Sequence, residues 1–263
     1  MRKLIQIMYK TRTLNIFGFD IATIKRENLL KELKDLIQIK KSLHICCLNP
    51  HSYVISKKDK AFERALKTSD LVVPDGIGVC LALKAIYKKK VMRITGYDLF
   101  EELLHLSNQE RKNIYFLGSH TDTLKALQKK VTLEFPLINI VGVYSPPFVH
   151  KFDDSHNAII NNEIHTAAPD IVFVSLSAPK QETWVYENLS NHENTTFVSI
   201  GAVFDFYTGK VKRSNKIFRS IGLEWLPRLA QQPRRLWKRT FISAPIFIID
   251  VFRIYKKIIF QNK

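Results

Sequence analysis

The chain has 263 residues, of which 46% are hydrophobic and 25% charged, so a disordered or fibrous protein is excluded and one large α/β domain or two small ones are expected. Its three cysteines, Cys46, Cys47 and Cys80, suggest neither a disulfide framework nor a metal site, and we expect reduced thiols. Of the net charge of +17, residues 209–263 carry +12, from 14 Lys and Arg against two acidic residues, so the basicity belongs to the end of the sequence.

Residues 1–20 interrupt their apolar stretch with Lys10 and Arg12 and contain no small-residue cleavage site, so no secretory signal is predicted. After them, short apolar runs alternate with patterns in which apolar residues recur every three or four positions. Strands are predicted at 14–19, 43–48, 70–73, 113–118, 138–144, 170–176 and 195–201. Helices are predicted at 27–39, 59–69, 121–135 and 179–190. This alternation predicts an α/β fold, with a Rossmann-like and mostly parallel sheet flanked by helices, in one domain that spans residues 1–208.

Ligands of open parallel sheets bind beyond the carboxyl ends of the strands, so the residues after each predicted strand are candidates for a site. In chain order they are Asn49 and Pro50, Asp75 and Gly76, Ser119 and His120 after Gly118, residues 177–182, and residues 202–206. Polar side chains are therefore expected to converge on one edge of the sheet, with Asp75 at the mouth of the crevice.

Asp75 lies in the stretch VVPDGIGV, residues 72–79. One interpretation is a turn in which Asp75 caps a helix that begins near Ile77, and the other is a carboxylate that meets a substrate. The pair Gly76 and Gly78 lacks the third glycine of a dinucleotide-binding motif, and no acid follows at the expected distance, so NAD(P) is rejected as a first choice.

The stretch RITGYDL, residues 93–99, brings Arg93, Thr95, Gly96 and Asp98 together ahead of a helical pattern. Thr95 or Asp98 is expected to cap that helix. A helix N-terminus beside an arginine also suits a phosphate group, and the two interpretations are compatible.

The stretch SAPKQE, residues 177–182, places Lys180 and Gln181 in the first turn of a predicted helix, where a lysine opposes the helix dipole and so favours a functional role. In GAVFDFYTG, residues 201–209, Asp205 stands between two phenylalanines. A carboxylate is costly to bury without partners, so we expect Asp205 to be hydrogen-bonded, with structural support and substrate contact as equal alternatives.

The tail, residues 209–263, interleaves arginines and lysines, among them Arg228, Arg235 and Lys238, with tryptophans and leucines. Such a basic amphipathic pattern is typical of a segment that lies on a membrane surface or of a nucleic-acid-binding arm. The apolar run at 241–249 is too short to span a bilayer. We therefore predict a basic, amphipathic, helical C-terminal appendage that associates with an anionic membrane.

Six stretches carry these features in a fixed order. They are NPHSYVISKKDKAFERALKTSDLVVPDGIGV, RITGYDL, IYFLGS, VFVSLSAPKQETWV, GAVFDFYTGKVKR and GLEWLPRLAQQPRRLWKR. In that order they resemble the WecG/TagA/CpsF family, glycosyltransferase family 26, over roughly residues 14–240. The combination of P-D-G, A-P-K-Q-E and L-E-W-x-x-R-L with P-R-R-L-W makes the resemblance highly specific.

The resemblance implies a bacterial transferase that moves a sugar from a UDP-sugar to an acceptor sugar on a polyprenyl diphosphate, with inversion and without a bound metal or other cofactor. In the best-known members, N-acetylmannosamine or its uronic acid is transferred to N-acetylglucosamine on undecaprenyl diphosphate, for surface polysaccharide or teichoic acid. The implied location is cytoplasmic, peripheral on the inner face of the bacterial membrane. A homo-oligomer and the identities of both sugars stay open.

Motif by motif, the resemblance makes Asp75 the general base and assigns substrate contacts to Asn49, Arg93, Gln181, Arg228, Arg235 and Lys238. Strand ends and helix starts add Thr95, Gly96, Gly118, Lys180 and Asp205 to the predicted substrate-binding residues. Many members have Thr-Ala where this chain has Cys47 and Leu48, an acid often stands at the position of His51, and Gln232 replaces a common acid. These differences leave the identities of the donor and acceptor sugars open, and they do not involve Asp75.

An inverting transfer needs a carboxylate to take the proton of the attacking hydroxyl, and positive charge on the departing diphosphate. Asp75 suits the first role, and Arg93, Arg228 and Arg235 suit the second without a metal. A hydrolase with paired carboxylates is a weaker alternative. A Rossmann-like nucleic-acid-binding protein with a basic arm is the other, but it leaves the placement of Asp75, Arg93 and Gln181 unexplained, so no nucleic-acid partner is expected.

Overall fold

The computed structural model describes residues 13–39, 41–212, 214, 215, 218, 225–231 and 233–261. Its strands are β1 (Thr13–Ile16), β2 (Phe19–Ala22), β3 (Leu43–Leu48), β4 (Leu71–Pro74), β5 (Asn113–Gly118), β6 (Asn139–Tyr144), β7 (Ile171–Ser175) and β8 (Thr196–Ser199). Its helices are α1 (Arg26–Ile37), α2 (Pro50–Ser56), α3 (Lys60–Thr68), α4 (Ile77–Tyr87), α5 (Gly96–Glu110), α6 (Thr121–Glu134), α7 (Asp154–Ala167), α8 (Lys180–Asn188), α9 (Val203–Tyr207), α10 (Trp225–Gln231), α11 (Pro233–Lys238) and α12 (Ala244–Gln261). A π-helical turn (Arg239–Ser243) joins α11 to α12.

Six parallel strands form the central sheet, in the order β4-β3-β8-β7-β5-β6. Helices follow its strands, which confirms the predicted α/β fold with a Rossmann-like parallel sheet. Parallel strands covered on both faces appear in a sequence as continuous apolar runs, and every residue of β4 and β7 is accordingly buried. All the strands predicted after position 40 and all four predicted helices lie within two residues of their observed bounds.

The first predicted strand, at 14–19, is wrong, because the chain forms a hairpin there that stands apart from the main sheet. β1 and β2 pair antiparallel, and the two turn residues between them, Phe17 and Gly18, have φ values of 55° and 84°. The Asn15 side chain accepts a hydrogen bond from the Gly18 amide at 3.1 Å, which holds the turn. A two-residue turn with positive φ matches the twist of a hairpin, and the mostly apolar sequence of residues 14–19 concealed it.

The sequence patterns do not predict α2, α7 and α9, although two of these helices have clear caps. Asn49 caps α2, and the Asp153 side chain caps α7 by accepting from the His156 amide at 2.8 Å. With seven and five residues, α2 and α9 are too short to show a periodic apolar pattern. The longer α7 buries only Ile160 and Ile164, so its apolar stripe is sparse.

The sheet divides the core into two faces. Helices α1, α5 and α6 cover one face, where Phe100 and Phe173 pack edge to face with their ring centroids 4.8 Å apart. Helices α2, α3 and α4 cover part of the other face around Phe62, and α7 and α8 cover the rest around Trp184.

The last helix, α12, packs into this second face. Phe247 is 2% exposed, and its ring centroid lies 5.5 Å from that of Tyr53 and 5.6 Å from that of Phe17. Asp250 accepts hydrogen bonds from the Tyr53 hydroxyl at 2.9 Å and from the Lys57 ammonium at 2.5 Å. The division of the chain into a core and an appendage stays a prediction, with α12 in direct contact with the core.

Candidate active site

Asp75 lies directly after β4, at the carboxyl edge of the sheet, and is half-buried. Its backbone amide donates to the carbonyl of Leu48 at 2.8 Å, which extends the pairing with β3 by one residue beyond β4. The interpretation of Asp75 as the N-cap residue of α4 is wrong, because Gly76 occupies that position. Asp75 instead precedes the positive end of α4, where the helix dipole favours a negative charge.

Two glycines let the chain turn from β4 into α4 against a proline. Gly76 has a φ of +97°, a left-handed conformation that residues with a Cβ rarely adopt. A Cβ on Gly78 would lie 2.8 Å from the ring of Pro50, so α4 approaches the start of α2 more closely than a side chain allows. The glycines of the motif therefore have backbone roles, and the position next to Asp75 lies against Asn49.

Asn49 follows β3 and caps α2. Its Oδ1 accepts from the amides of His51 and Ser52, both at 3.0 Å, and the Ser52 hydroxyl accepts from the Asn49 amide at 2.8 Å. This capping box uses the side-chain oxygen, whereas no described residue accepts a hydrogen bond from the Asn49 Nδ2. Asn49 can therefore donate a hydrogen bond to a ligand without giving up its cap.

Asp75 and Arg93 both lie close enough to Cys80 to act on its thiol. Burial raises the pKa of Cys80 to about 11, while the Arg93 guanidinium lowers that pKa and the Asp75 carboxylate raises it. Burial also raises the pKa of the Cys47 thiol, and Asp75 is the charge that adds most to this rise. The structure thus brings the predicted base and a predicted phosphate-binding arginine to the same end of the sheet. All three cysteines are free, as expected.

The segment that carries Arg93 is tied to the ends of two strands. The Ile94 amide donates to the carbonyl of Pro74, at the end of β4, at 3.0 Å. A Cβ on Gly96 would lie 2.7 Å from the carbonyl oxygen of Ile200, just after β8. Gly96 is therefore needed for this close approach, and its contact with a substrate stays a prediction.

Thr95 and Asp98 form a capping box at the start of α5, which confirms the predicted helix start. The Thr95 hydroxyl donates to Asp98 at 2.7 Å and accepts from the Asp98 amide at 3.2 Å. Arg26 pairs with Asp98 at 3.1 Å. Burial raises the pKa of Asp98, but the hydrogen bonds from Thr95 and Arg26 outweigh burial and lower the pKa overall. The Thr95 side chain is thus engaged in the cap, and its contact with a substrate stays a prediction.

Gly118 marks a second part of the edge, between β5 and β7. The chain leaves β5 towards β6 and leaves β7 towards β8, on the other side, and such a divergence opens a ligand-binding crevice in α/β sheets. Gly118 has a φ of +108°, and a Cβ there would collide with the carbonyl group of Ser175. Only glycine fits at this turn.

Asp205, in α9, lies beside the start of α6 and is half-buried. Its Oδ1 accepts hydrogen bonds from the Ser119 hydroxyl at 3.3 Å and the Thr123 hydroxyl at 3.4 Å, which confirms that the carboxylate is hydrogen-bonded. Lys210 donates to the same Thr123 hydroxyl at 3.2 Å. These contacts show structural support, and substrate contact by Asp205 stays a prediction.

Lys180 and Gln181 begin α8 and contact different neighbours. Lys180 Nζ donates to the carbonyl of Val149 at 2.7 Å and lies 4.3 Å from the ring centroid of Phe152, so it fastens the loop after β6. Burial lowers the pKa of Lys180. Gln181 is 4% exposed, and its Oε1 accepts from the Gly201 amide at 3.1 Å. Gln181 thus joins the start of α8 to the end of β8.

Glu182, which the sequence patterns do not single out, is a buried carboxyl group behind this junction. It is 2% exposed, its Oε1 accepts from Gln181 Nε2 at 2.7 Å, and its Oε2 has no hydrogen-bond partner in the described part of the chain. Burial raises the pKa of Glu182 to about 7, against the lowering effect of Gln181. Its spacing from Val185 and Leu189 places it on the apolar stripe of α8, a signal that marks it in the sequence.

The C-terminal helices reach the same end of the edge as Asp75. Ser243, in the π-helical turn, hydrogen-bonds His51 Nδ1 at 2.9 Å, and the Phe247 ring lies 3.7 Å from the position of a Cβ on Gly78. Burial, and to a smaller extent the charge of Arg239, lower the pKa of His51 to about 4. The π-helical turn therefore brings a cation next to the start of α2.

The basic residues predicted to bind a diphosphate from the tail are only partly described. Arg228 belongs to α10 and Arg235 to α11, but their side chains lie outside the described part of the chain. Lys238 ends α11 and is exposed.

Within the ranges that the structure describes, no three His, Cys, Asp or Glu side chains are grouped as metal ligands. In those ranges no helix has the length and apolar character that a membrane span requires.

The predicted site residues fall into two groups along the edge. Asn49, Asp75 and Arg93 lie at the ends of β3 and β4, whereas Asp205 lies by β5. Four strand spacings separate β4 from β5, or about 19 Å at about 4.8 Å each. Gln181 contacts the end of β8, between the two groups.

A groove of about 720 Å³ opens at the opposite edge of the sheet, beside Ser42 and His192. It lies at the amino ends of β3 and β8, and none of the predicted site residues lines it. Its position argues against a substrate site, because open parallel sheets bind ligands at their carboxyl ends.

Comparisons with known proteins identify sequences that are similar to this chain. The model of a family described as "Glycosyl transferase WecG/TagA/CpsF family" matches residues 14–259. A Bacillus subtilis (strain 168) protein named N-acetylglucosaminyldiphosphoundecaprenol N-acetyl-beta-D-mannosaminyltransferase is 32% identical over 209 residues, 80% of this chain and 78% of that protein. A Staphylococcus aureus (strain MW2) protein of the same name is 24% identical over 250 residues, 94% of this chain and 95% of that protein.

Proposed function

The chain belongs to the WecG/TagA/CpsF family of glycosyl transferases, and from that membership we propose that it transfers a sugar from a UDP-sugar to an acceptor sugar on a polyprenyl diphosphate. The donor sugar we favour is N-acetylmannosamine and the acceptor is N-acetylglucosamine on undecaprenyl diphosphate, because the names of the relatives contain both. The observation that carries the proposal is that a half-buried carboxylate, Asp75, and the guanidinium of Arg93 both lie near the Cys80 thiol, at the end of β4.

Asp75 is the proposed general base. It takes the proton of the acceptor hydroxyl while that oxygen forms a bond to the anomeric carbon of the donor sugar. The bond from the anomeric carbon to the diphosphate oxygen breaks on the opposite side, and UDP leaves with the electron pair. One carboxylate is sufficient for such an inverting transfer, and no second carboxylate is required to attack the sugar.

Arg93 is proposed to stabilise the charge that develops on the departing diphosphate. A guanidinium stays charged and pairs with phosphate oxygens in a fixed, forked geometry. Arg228, Arg235 and Lys238 complete this positive site in the proposal, because the π-helical turn that follows α11 contacts the same end of the edge. The proposal therefore requires no bound metal.

The crevice between β5 and β7 is proposed to hold the nucleotide of the donor. Gly118 lets the chain turn at the base of this crevice, and Asp205 offers a carboxylate to ribose or base hydroxyl and amide groups. The distance along the edge to Asp75 suits an extended ligand, with its nucleotide at one end and its sugar at the other. Asn49 and Gln181 lie along this path and supply amide groups.

We propose that α12 holds the protein, as a peripheral cytoplasmic protein, against the inner face of the bacterial membrane. The outward side of this helix exposes Ile248 and Phe252, and the π-helical turn before it exposes Phe241. Exposed Lys256 and Lys257 follow near the helix end. Apolar side chains flanked by lysines are typical of helices that lie in an anionic membrane surface, where a polyprenyl acceptor is located.

Replacing Phe241, Ile248 and Phe252 together by serine is expected to weaken binding to phosphatidylglycerol vesicles about 100-fold, since each side chain contributes about 1 kcal/mol of apolar burial. Co-sedimentation measures the binding. Leu133→Ser, the same kind of change at an 80% exposed residue of α6, is the matched control and should bind as wild type does. Unchanged binding of the triple variant would place the membrane contact elsewhere.

Release of UDP from a panel of UDP-sugars, with a short-chain N-acetylglucosaminyl-diphospho-lipid and a chelator present, tests the reaction. We expect release that depends on the acceptor and survives chelation. Release without acceptor would indicate a hydrolase, and loss of release in the chelator would overturn the metal-free part of the proposal. No release from any donor, with salt-sensitive binding of nucleic acid instead, would favour a binding protein with a basic arm.

A further inference from the structure

A chain of hydrogen bonds runs from the interior of the protein to the middle of the carboxyl edge. Glu182 Oε1 accepts from Gln181 Nε2 at 2.7 Å, and Gln181 Oε1 accepts from the Gly201 amide at 3.1 Å. The carbonyl of Gly201 accepts from the hydroxyl of Ser175, the last residue of β7. Both backbone polar groups of Gly201 are therefore held by side chains.

Gly201 is a position that packing alone does not fix. Its φ is +66°, and a Cβ there would meet nothing within 4 Å. The residue before it, Ile200, is the one on which Gly96 rests, and the residues after it lead into α9 and Asp205. A shift of the backbone at Gly201 would therefore disturb both groups of proposed site residues.

The orientation of the Gln181 carboxamide decides whether it can hold Gly201. An amide side chain has nearly the same shape after a rotation of 180°, and only its hydrogen-bond partners distinguish oxygen from nitrogen. Glu182 Oε1 accepts from the nitrogen, so the oxygen faces the Gly201 amide. The reversed amide would set two oxygens against each other at Glu182 and two donors against each other at Gly201.

We propose that Glu182 is a positioning residue for the transfer reaction: its buried carboxyl orients the Gln181 carboxamide, which fixes the backbone of Gly201 between the two parts of the active site. This inference rests on the proposed function. Glu182 itself is 2% exposed and reaches no substrate, so it acts only through Gln181.

The surroundings of Glu182 allow its carboxyl group to be neutral near neutral pH. Helix α8 packs on α3, β3 and β8. β3 carries His44, whose pKa is lowered to about 3 by burial, and the thiols of Cys46 and Cys47, whose pKa values are raised by burial. β8 contains no titratable residue, and on α3 the one glutamate pairs with two lysines of the same helix near the surface while Arg64 donates to a backbone carbonyl. Burial raises the pKa of Glu182 from 4.5 to about 7. The folded protein thus holds a proton that the unfolded chain releases, so its stability decreases as pH rises from 4.5 to 7.

Two substitutions separate the hydrogen bond from the charge. Glu182→Gln keeps an acceptor oxygen and stays neutral, and it is expected to keep kcat/KM for UDP-N-acetylmannosamine close to that of wild type. Glu182→Leu removes the acceptor and is expected to lower kcat/KM about 100-fold, the effect of a misplacement on the order of 1 Å. In a Gln181→Leu background the same change should have little further effect, because one residue acts through the other.

The matched control is Glu187→Gln, on the exposed side of the same helix, which should leave kcat/KM unchanged. Loss of activity in Glu182→Gln equal to that in Glu182→Leu, or additive losses in the Gln181→Leu background, would overturn the proposal. The proposal is supported if kcat/KM falls in Glu182→Leu but not in Glu182→Gln, and if Glu182→Leu has little further effect in the Gln181→Leu background.

A second readout needs no activity. The side-chain amide signals of Gln181 in the ¹⁵N-labelled protein should exchange slowly in wild type and Glu182→Gln, and quickly in Glu182→Leu. The chemical shifts of these signals should change with pH, with a midpoint near pH 7, in wild type only. The melting temperature of Glu182→Gln should rise relative to that of wild type as the pH increases from 5 to 8. If wild type releases UDP from no donor, the proposed function fails, and slow exchange in Glu182→Leu would still overturn the role of Glu182.

Discussion

Asp75→Asn is expected to lower acceptor-dependent UDP release about 1,000-fold, within the range that general-base catalysis supplies. The amide keeps the shape of the carboxylate but cannot take a proton from the acceptor hydroxyl. The backbone bond from Asp75 to Leu48 does not involve the side chain, so the turn into α4 should survive. Steady-state kinetics with each substrate varied should show the loss in kcat, with KM for the donor little changed.

Asp35→Asn is the matched control for the loss of one negative charge. Asp35 is exposed on α1, away from the carboxyl edge, and its substitution should leave the rate unchanged. Wild-type release by Asp75→Asn would reduce Asp75 to a structural residue of the turn. A change confined to KM would assign the side chain to substrate binding instead of proton transfer.

Phe247→Ala is expected to lower the free energy of unfolding by about 3–5 kcal/mol, the usual cost of removing a buried phenylalanine ring. The Phe247 ring packs edge-on against both Phe17 and Tyr53 and lies beside Gly78. Without it, α12 loses its anchor on α2 and α4. Denaturant unfolding of the purified protein measures the effect, and UDP release should also fall because the basic C-terminal helices are no longer held near Asp75.

Phe252→Ala provides the matched control, with the same loss of atoms on the other side of the helix. Phe252 is 55% exposed, so its removal should change the stability by less than about 0.5 kcal/mol while weakening vesicle binding. Equal destabilisation by the two substitutions would contradict the packing of α12 described above. A large loss of stability in Phe247→Ala only, with weaker vesicle binding and unchanged stability in Phe252→Ala, would assign one face of α12 to the core and the other to the lipid.

The parallel sheet was predictable because its strands are buried on both faces and therefore appear as apolar runs such as DIVFVSL. Because Asp75 directly follows such an apolar run, its place at the end of a strand was also predictable. The hairpin of β1 and β2 was not predictable in this way, because apolar residues continue through the turn at Phe17 and Gly18. The turn depends on positive φ values and on the Asn15 side chain, which no periodic pattern reveals.

The arrangement of the candidate site could be predicted only in part. Alternating strands and helices place polar residues at one edge but do not fix the strand order, which sets Asp205 four strands from Asp75. The position of Asp75 alone favoured a turn or helix cap over a base, and the family resemblance supplied the role of base. The position of Glu182 on the apolar stripe of α8 indicates its burial, but its hydrogen bond to Gln181 depends on side-chain conformation and was not predictable.

The stacking of Phe17 on Tyr53, with centroids 4.1 Å apart and Phe247 against both, joins positions near opposite ends of the sequence. Contacts between positions so far apart form late, because a long loop must close first. A nascent chain that has not yet emerged as far as α12 therefore presents Phe17 and Tyr53 on an uncovered apolar face, a state that favours aggregation. Synthesis of α12 is thus the step that covers this apolar face.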